Sequence, residues 1–308
     1  MKKAVLFGAT GLIGTELIQS LLKSDYSAVV VSRDKTKAEN SNPWLNSNES
    51  KIRFLSSDDE VDIIQSINGA DAVINLAGAG LFDKRWSKQY KEVLFDSRVD
   101  ITKAIVGYIS KAKEKPKVFI SGSAVGYYGG TISDKVLDES SPSGFDFLAQ
   151  LCTAWENEAN KVKNSRVRVI NLRTGIVFSK MGGALSKLLA GIKFKIGTYF
   201  KPGTQYLSWI HIEDLVSIIM TCISNKKVNG PINATAPKPL TYKKLSEDIF
   251  EVYQPLFTIP VPKILARLII GESSTLLTTG QKVTPQKLLG LNFEFKYTEA
   301  LQALHNLS

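Results

Sequence analysis

Gly8, Gly11 and Gly14 recur at intervals of three in "FGATGLIG", directly after the apolar run "KAVLF". In such a pattern the first glycine permits a tight turn. The second lets phosphates approach the backbone, and the third lets a helix pack close on a strand. Free N–H groups and the dipole at the start of the following helix would then attract a pyrophosphate. The chemistry implied is dinucleotide binding. Further along, "VVVSRDK" ends a second apolar run in Ser32, Arg33 and Asp34. An acid at such a strand end takes the ribose 2′-hydroxyl of NAD, whereas an arginine pairs with the 2′-phosphate of NADP through a charge-assisted fork. Arg33 makes NADP(H) the expected cofactor. Asp34, if turned inward, would restore NAD.

A second cluster lies in "KVFISGSAVGYYGG", residues 117–130. An apolar run stops there in four hydroxyls: Ser121, Ser123, Tyr127 and Tyr128. Hydroxyls at a strand end suit proton transfer to and from a substrate oxygen, or they merely close the strand. Asp146 has two readings of the same kind. It is an acid facing a cleft, or the N-cap of a helix starting at Phe147. Only two histidines and two cysteines are present, and no CxxC occurs. A zinc cluster is therefore excluded, and no metal is expected.

Elements must hold these residues in place. Short apolar runs alternate with helical patterns from the start. Strands are expected at "KAVLF", 28–32, 51–56, 71–78, 117–121 and 167–173. Helices are expected at "GLIGTELIQSLLKS", from roughly Lys88 to Lys113, over 146–162 and from Glu213, with a polar loop at 39–50. The alternation implies an α/β fold, a Rossmann-type doubly wound parallel sheet with helices on both faces. Ligands of such sheets bind at the carboxyl ends of the strands. "FGATG", "SRD", "LAGAG" and "SGSAVGYY" should therefore line one rim. The rhythm loosens after about residue 180. Residues 1–180 are expected to form the nucleotide-binding domain, with 205–235 returning to it. Residues 181–308 are expected to form a smaller α/β substrate-side region, with a distinct tail from about 258 that holds a helix near "PKILARLIIG".

Several segments in order resemble the extended branch of the short-chain dehydrogenase/reductase superfamily. They are the GxxGxxG loop, "NLAG", "SGSAVGYYG", "LRTGIVF" and "WIHIEDLV". "NLAGAGLFDKRWSKQYKEVLFDSR", "DFLAQLCTAWE" and the tail "GQKVTPQKLLGLNFEFKY" look like an atypical subgroup labelled "epimerase family protein", which carries a C-terminal domain of unknown function. The resemblance implies that Thr10, Gly11, Leu12 and Ile13 contact the pyrophosphate. Ser32 and Arg33 would take the adenosine phosphate. Leu76, Ala77 and Gly78 would line the ribose, and Val177 the nicotinamide. Arg98 falls where the wider superfamily places an asparagine.

That superfamily pairs a catalytic tyrosine with a lysine four residues on, which lowers the phenol's pKa toward neutrality. Here Phe147 and Leu151 occupy the two places, and none of the ten tyrosines has lysine at +4. Ser123 matches the family's substrate-steadying serine. Tyr127, Tyr128 and Asp146 are the candidates to replace the missing pair, with Arg98 as a fixed positive charge. The expected function is that of an NADP(H)-binding oxidoreductase or nucleoside-sugar-type epimerase. The alternative is a non-catalytic NADP(H)-sensing protein.

Composition bounds the rest. Hydrophobic residues make up 44% and charged residues 22%, as in ordinary globular proteins. No window is long and apolar enough for a bilayer span, so no membrane partner is expected. The formal charge is +10, which favours an anionic partner such as a phosphorylated small molecule. The lysines are scattered rather than massed, so no nucleic acid is expected. Cys152 and Cys222 read as buried thiols of a cytoplasmic protein, a monomer or homodimer.

Overall fold

The structure, a computed structural model, describes residues 2–40, 51–162 and 166–308. Of the expected loop at 39–50, residues 41–50 lie outside this description, and Glu39 and Asn40 end a short helix, Lys35–Asn40. Seven strands form the main sheet. They are β1 (Lys2–Phe7), β2 (Tyr26–Ser32), β3 (Ile52–Ser56), β4 (Ala72–Asn75), β5 (Val118–Ala124), β6 (Arg168–Thr174) and β7 (Gly230–Ala234). Their order is β7-β6-β5-β4-β1-β2-β3, and every neighbouring pair is parallel. The order reverses between β1 and β4, which opens a crevice at their carboxyl ends. This is the expected Rossmann-type sheet.

Five helices cover it: α1 (Leu12–Lys23), α2 (Glu60–Ile67), α3 (Lys88–Lys111), α4 (Phe147–Asn160) and α5 (Ile212–Ser224). Strand side chains alternate between faces, so β1 feeds two cores. Ala4 and Leu6 pack with Leu17, Ile18 and Leu21 of α1 and Leu215 and Ile219 of α5. Val5 and Phe7 pack with Ile63 and Ile67 of α2 and Ile105 and Ile109 of α3. Burial on both faces explains why "AVLF" and "AVVV" are continuous apolar runs rather than alternating ones.

A third core lies outside the sheet. Phe178, Trp209, Tyr242, Leu245, Ile249 and Leu304 pack together there, joined by a small parallel pair of strands, Ile196–Phe200 and Phe257–Val261. The tail is fastened back onto α5, which packs on the main sheet. Asp214 in the first turn of α5 accepts from the backbone N–H groups of Lys296 (2.8 Å) and Tyr297 (2.9 Å). His211 caps α5, its Nδ1 accepting from the Glu213 N–H at 3.2 Å.

Candidate nucleotide-binding and catalytic site

The three glycines of the first crossover differ in what they would meet. Gly8 has φ +74°, and a Cβ on it would lie 2.5 Å from the backbone N of Ala77. A Cβ on Gly14 would lie 2.3 Å from Cα of Ala9. The fold itself therefore forbids side chains at both positions. Gly11 is different, because its nearest neighbour, the Gly8 carbonyl, would be an ordinary 3.5 Å away. Among the described residues beyond its own chain neighbours, no other atom comes within 4 Å of that Cβ position. It is the N-cap of α1, without a side-chain cap or an acid in the first turn. Uncapped N–H groups and a bare backbone are what a phosphate requires. Gly8, Gly11, Leu12, Ile13 and Gly14 line a cleft of about 930 Å³, together with Leu76 and Val177. Thr10 is exposed on the same loop.

At the end of β2, the Ser32 hydroxyl bonds within the turn to Asp34. The Asp34 carboxylate accepts from the Lys37 N–H at 2.8 Å and so caps the short helix that follows. Arg33 is exposed and makes no ion pair among the described residues. The acid is thus occupied and the guanidinium free.

At the end of β4, the buried Asn75 ties the loop to the helices. Its Oδ1 accepts from the Ala77 N–H (3.1 Å), and its Nδ2 donates to the Thr102 hydroxyl (2.9 Å). Trp155 Nε1 donates to the same hydroxyl at 2.9 Å. Arg98 lies against Gly78, where a Cβ would meet its Cζ at 3.0 Å. It donates to the carbonyls of Ala79 (2.9 Å) and Leu94 (3.1 Å). Burial holds its pKa below the usual range, yet an arginine stays charged there. Among the described residues no carboxylate pairs with it. Arg98 braces the Gly78–Ala79 backbone.

The segment "SGSAVGYY" does line the cleft, through Ala124, Val125 and Gly126, but its hydroxyls do not. Ser123 on β5, Arg173 on β6 and Asn233 on β7 are in register. Their side chains form one row on one face of the sheet, under α4. Ser123 Oγ donates to Glu156 Oε1 at 2.7 Å. Arg173 grips the same carboxylate through Nε (2.8 Å) and Nη2 (2.9 Å), both side chains being almost fully buried. The Tyr128 hydroxyl accepts from Arg173 Nη1 (3.0 Å) and donates to Asn233 Oδ1 (2.7 Å). Burial pushes the Tyr128 phenol up to about 12. The Tyr127 ring lies under the guanidinium, 3.4 Å from its Cζ. Strand alternation turns Ser123 toward a buried ion pair, and the single helical turn Val125–Tyr128 that follows β5 brings Tyr128 to the same pair; neither they nor Tyr127 line the cleft. Asp146 does line it, and it also caps α4, accepting from Ala149 N–H (2.9 Å) and Gly130 N–H (2.7 Å).

Glu156, Arg173 and Asn233 were missed from sequence. The available signal was a charged residue in the buried run "VINLRT", which demands a partner. Phe147 and Leu151, in the places of the missing pair, pack in an apolar cluster with Trp86, Tyr90 and Leu94. Cys152 lines the cleft, but burial pushes its thiol up to about 12, so it is no nucleophile at neutral pH. Among the described residues no cluster could hold a metal ion, and no helix is long and apolar enough to cross a membrane.

Residues 4–234 match the NAD dependent epimerase/dehydratase family, and residues 261–307 match a domain of unknown function (DUF1731). The chain belongs to the NAD dependent epimerase/dehydratase family. Within it, the chain is 38% identical to the chloroplastic epimerase family protein SDR39U1 homolog of Arabidopsis thaliana, covering 96% of this chain and 84% of that one. An epimerase family protein of Staphylococcus aureus is 34% identical, covering 100% and 99%. The resemblance expected from sequence is borne out. The crystal structure of human epimerase family protein SDR39U1 with NADPH superposes with a TM-score of 0.87 at 26% identity, covering 99% and 98% of the two chains. The UDP-glucuronic acid 4-epimerase of Bacillus cereus, in complex with UDP-glucuronic acid and NAD, shares the fold at 19% identity with a TM-score of 0.78, covering 99% and 98%.

Proposed function

We propose that the chain binds NADP(H) along its glycine loop and serves hydride exchange with a small-molecule substrate, as an oxidoreductase or epimerase. One observation carries the cofactor choice: at the end of β2 the acid is used as a cap and Arg33 is free. The NADPH named with the human relative supports it. When bound, the nicotinamide supplies reversible hydride exchange. The chain's own residues bind and orient. Gly11 and the first N–H groups of α1 hold the pyrophosphate, and Ser32 and Arg33 take the adenosine phosphate. Leu76, Ala77 and Gly78 line the ribose, with Arg98 steadying their loop, and Val177 lies toward the nicotinamide. In this reading residues 1–180 with 205–235 carry the nucleotide, and the remainder of 181–308 meets the substrate. The setting is a reducing cytoplasm, in keeping with two buried free thiols, Cys152 and Cys222.

Calorimetry tests the cofactor. NADPH should bind at least tenfold tighter than NADH, since a hydrogen-bonded ionic contact contributes about 1.5–3 kcal/mol. Arg33→Ala should erase that gap. Equal affinities in the unmodified protein would overturn the reading. A second reading, a non-catalytic NADP(H) sensor, is favoured by Phe147 and Leu151 in the catalytic places and by the engagement of Ser123 and Tyr128 elsewhere. Transfer of label from 4-tritiated NADPH into a metabolite extract decides between them, and its absence favours the sensor.

A further inference from the structure

We infer that the exposed face of the helix Lys263–Ile270 docks on an anionic lipid surface.

That helix shows solvent an apolar stripe. Ile264 and Leu268 stand one turn apart, as do Leu265 and Ile269, and the four share one side of the helix. All four are exposed, Ile264 by 77% and Leu268 by 69%. The inner side is Ala266, which is buried. The helix is held in this orientation. Arg85 grips its last carbonyls, donating through Nη2 to Leu268 (2.6 Å) and through Nε to Ile269 (3.2 Å). The next turn is tied by Lys91 to Glu272 at 2.6 Å. Apolar exposure continues into the strand that leads to the helix, at Phe257 and Ile259. It reaches Leu256, whose N–H donates to the Lys195 carbonyl at 2.8 Å, and Phe194. A concentration of exposed apolar side chains on this scale marks a surface that meets a partner.

The charges around the stripe choose that partner. Lys263 and Arg267 lie one turn apart on its flank. Lys193 and Lys195 precede the strand Ile196–Phe200 that pairs with Phe257–Val261, and Lys201 follows it. None of these five cations pairs with a carboxylate among the described residues. Residues 255–271 contain no acid. An apolar face flanked by unpaired cations suits a helix lying in a membrane interface, its apolar side chains at the acyl boundary and its cations on anionic headgroups. A second copy of the chain fits less well, because in a two-fold contact the same cations would face each other. The lack of a bilayer span concerns crossing a membrane, not lying on one. Ile269 also lines the cleft, so docking sets one edge of the cleft against the lipid.

The experiment floats the full-length protein with vesicles of equimolar phosphatidylcholine and phosphatidylserine, and separately with vesicles of phosphatidylcholine alone, at low and at high salt. The protein should rise with the anionic vesicles at low salt, rise less at high salt, and stay behind with phosphatidylcholine alone. Ile264→Ser with Leu268→Ser should lower the partition coefficient at least about tenfold. Lys263→Ala with Arg267→Ala should lower it about twenty-five-fold, a factor of about five for each cation. All four side chains are exposed, so neither pair of changes should move the melting temperature. The second pair removes no apolar side chain and keeps the test open should the first pair fail to fold. Equal flotation with both kinds of vesicle, or with neither, would overturn the inference. So would flotation that survives both pairs of changes, which would place the lipid contact elsewhere. A dimer in sedimentation equilibrium that Ile264→Ser with Leu268→Ser dissolves would give the face to a second copy and overturn it as well.

Discussion

The inner half of the cleft is shaped by main chain and the outer half by side chains. Inside, Gly8 and Gly14 bring backbone against backbone at Ala77 and Ala9, and the uncapped start of α1 faces the space between. Outside, the side chains of Leu148, Ile176, Phe200, Leu207 and Leu277 contribute most of the apolar wall. The difference teaches where specificity resides. A main-chain cradle accepts any ligand with the right phosphate geometry, so it serves a common cofactor. A side-chain chamber can be rebuilt residue by residue, so it selects the substrate. Apart from the cleft lining stands the buried row of Ser123, Arg173 and Asn233 with Glu156 and Tyr128.

That row gives the largest expected effect. Glu156→Ala leaves Arg173, 4% exposed at its side chain, without its carboxylate. Removing one partner of a buried pair costs about 3–5 kcal/mol, to be read by chemical denaturation. A loss below about 1 kcal/mol would mean that water or another group compensates for the missing carboxylate.

The glycines separate the needs of the fold from those of the ligand. Gly14→Ala forces a Cβ onto backbone, and crowding of this kind costs about 1–3 kcal/mol. Gly11→Ala meets only an ordinary contact, and its φ of −82° suits any residue. Its stability should stay within about 0.5 kcal/mol of the parent, while NADPH affinity falls at least tenfold. If Gly11→Ala binds NADPH normally, phosphate does not approach there, and the main-chain character of the inner half loses its meaning.

The same contrast explains what was legible in the sequence. GxxGxxG, Arg33 at a strand end and the alternation of strands and helices are local patterns, because backbone geometry is dictated by neighbours in the chain. The sheet and the family followed from them. The outer chamber was not legible, since Leu148, Leu207 and Leu277 lie far apart and each reads alone as ordinary core. The hydroxyls after β5 misled for a related reason. "SGSAVGYY" places them at the rim, but Ser123's direction depends on the face that alternation selects, and the tyrosines follow in a helical turn, Val125–Tyr128. The partner that claimed Ser123 was Glu156 on α4, 33 residues on. Asp146 was read with its capping role as one of two options, and a residue immediately before a helix is again a local matter.

Ser123→Ala sharpens the comparison at a smaller scale. If Ser123 serves the buried row, its loss removes one hydrogen bond to a carboxylate still held by Arg173, which costs about 1.5 kcal/mol. NADPH affinity should not change. A variant as stable as the parent but without label transfer from tritiated NADPH would return Ser123 to the chemistry and remove it from the row.

The smallest effect concerns the contact between His211 and the tail. The buried His211 ring lies 3.9 Å from the ring of Tyr297 in the tail, and burial lowers its pKa below 6.5. The unfolded chain therefore binds a proton near pH 6.5 that the folded protein refuses. Stability from this group is full above pH 6.5 and is lost as pH falls toward the lowered folded value. Asp214 and Glu139 act in the opposite sense. Burial raises both, so the folded protein binds their protons first, and they add stability as pH falls toward 4–5, near their unfolded values. The His211 effect is thus cleanest between pH 7 and 6. There the stability advantage of the parent over His211→Asn should shrink as pH drops. An advantage that stays constant or grows would mean that the imidazole is charged in the folded state, and that the tail is joined to α5 by something other than a neutral, buried contact.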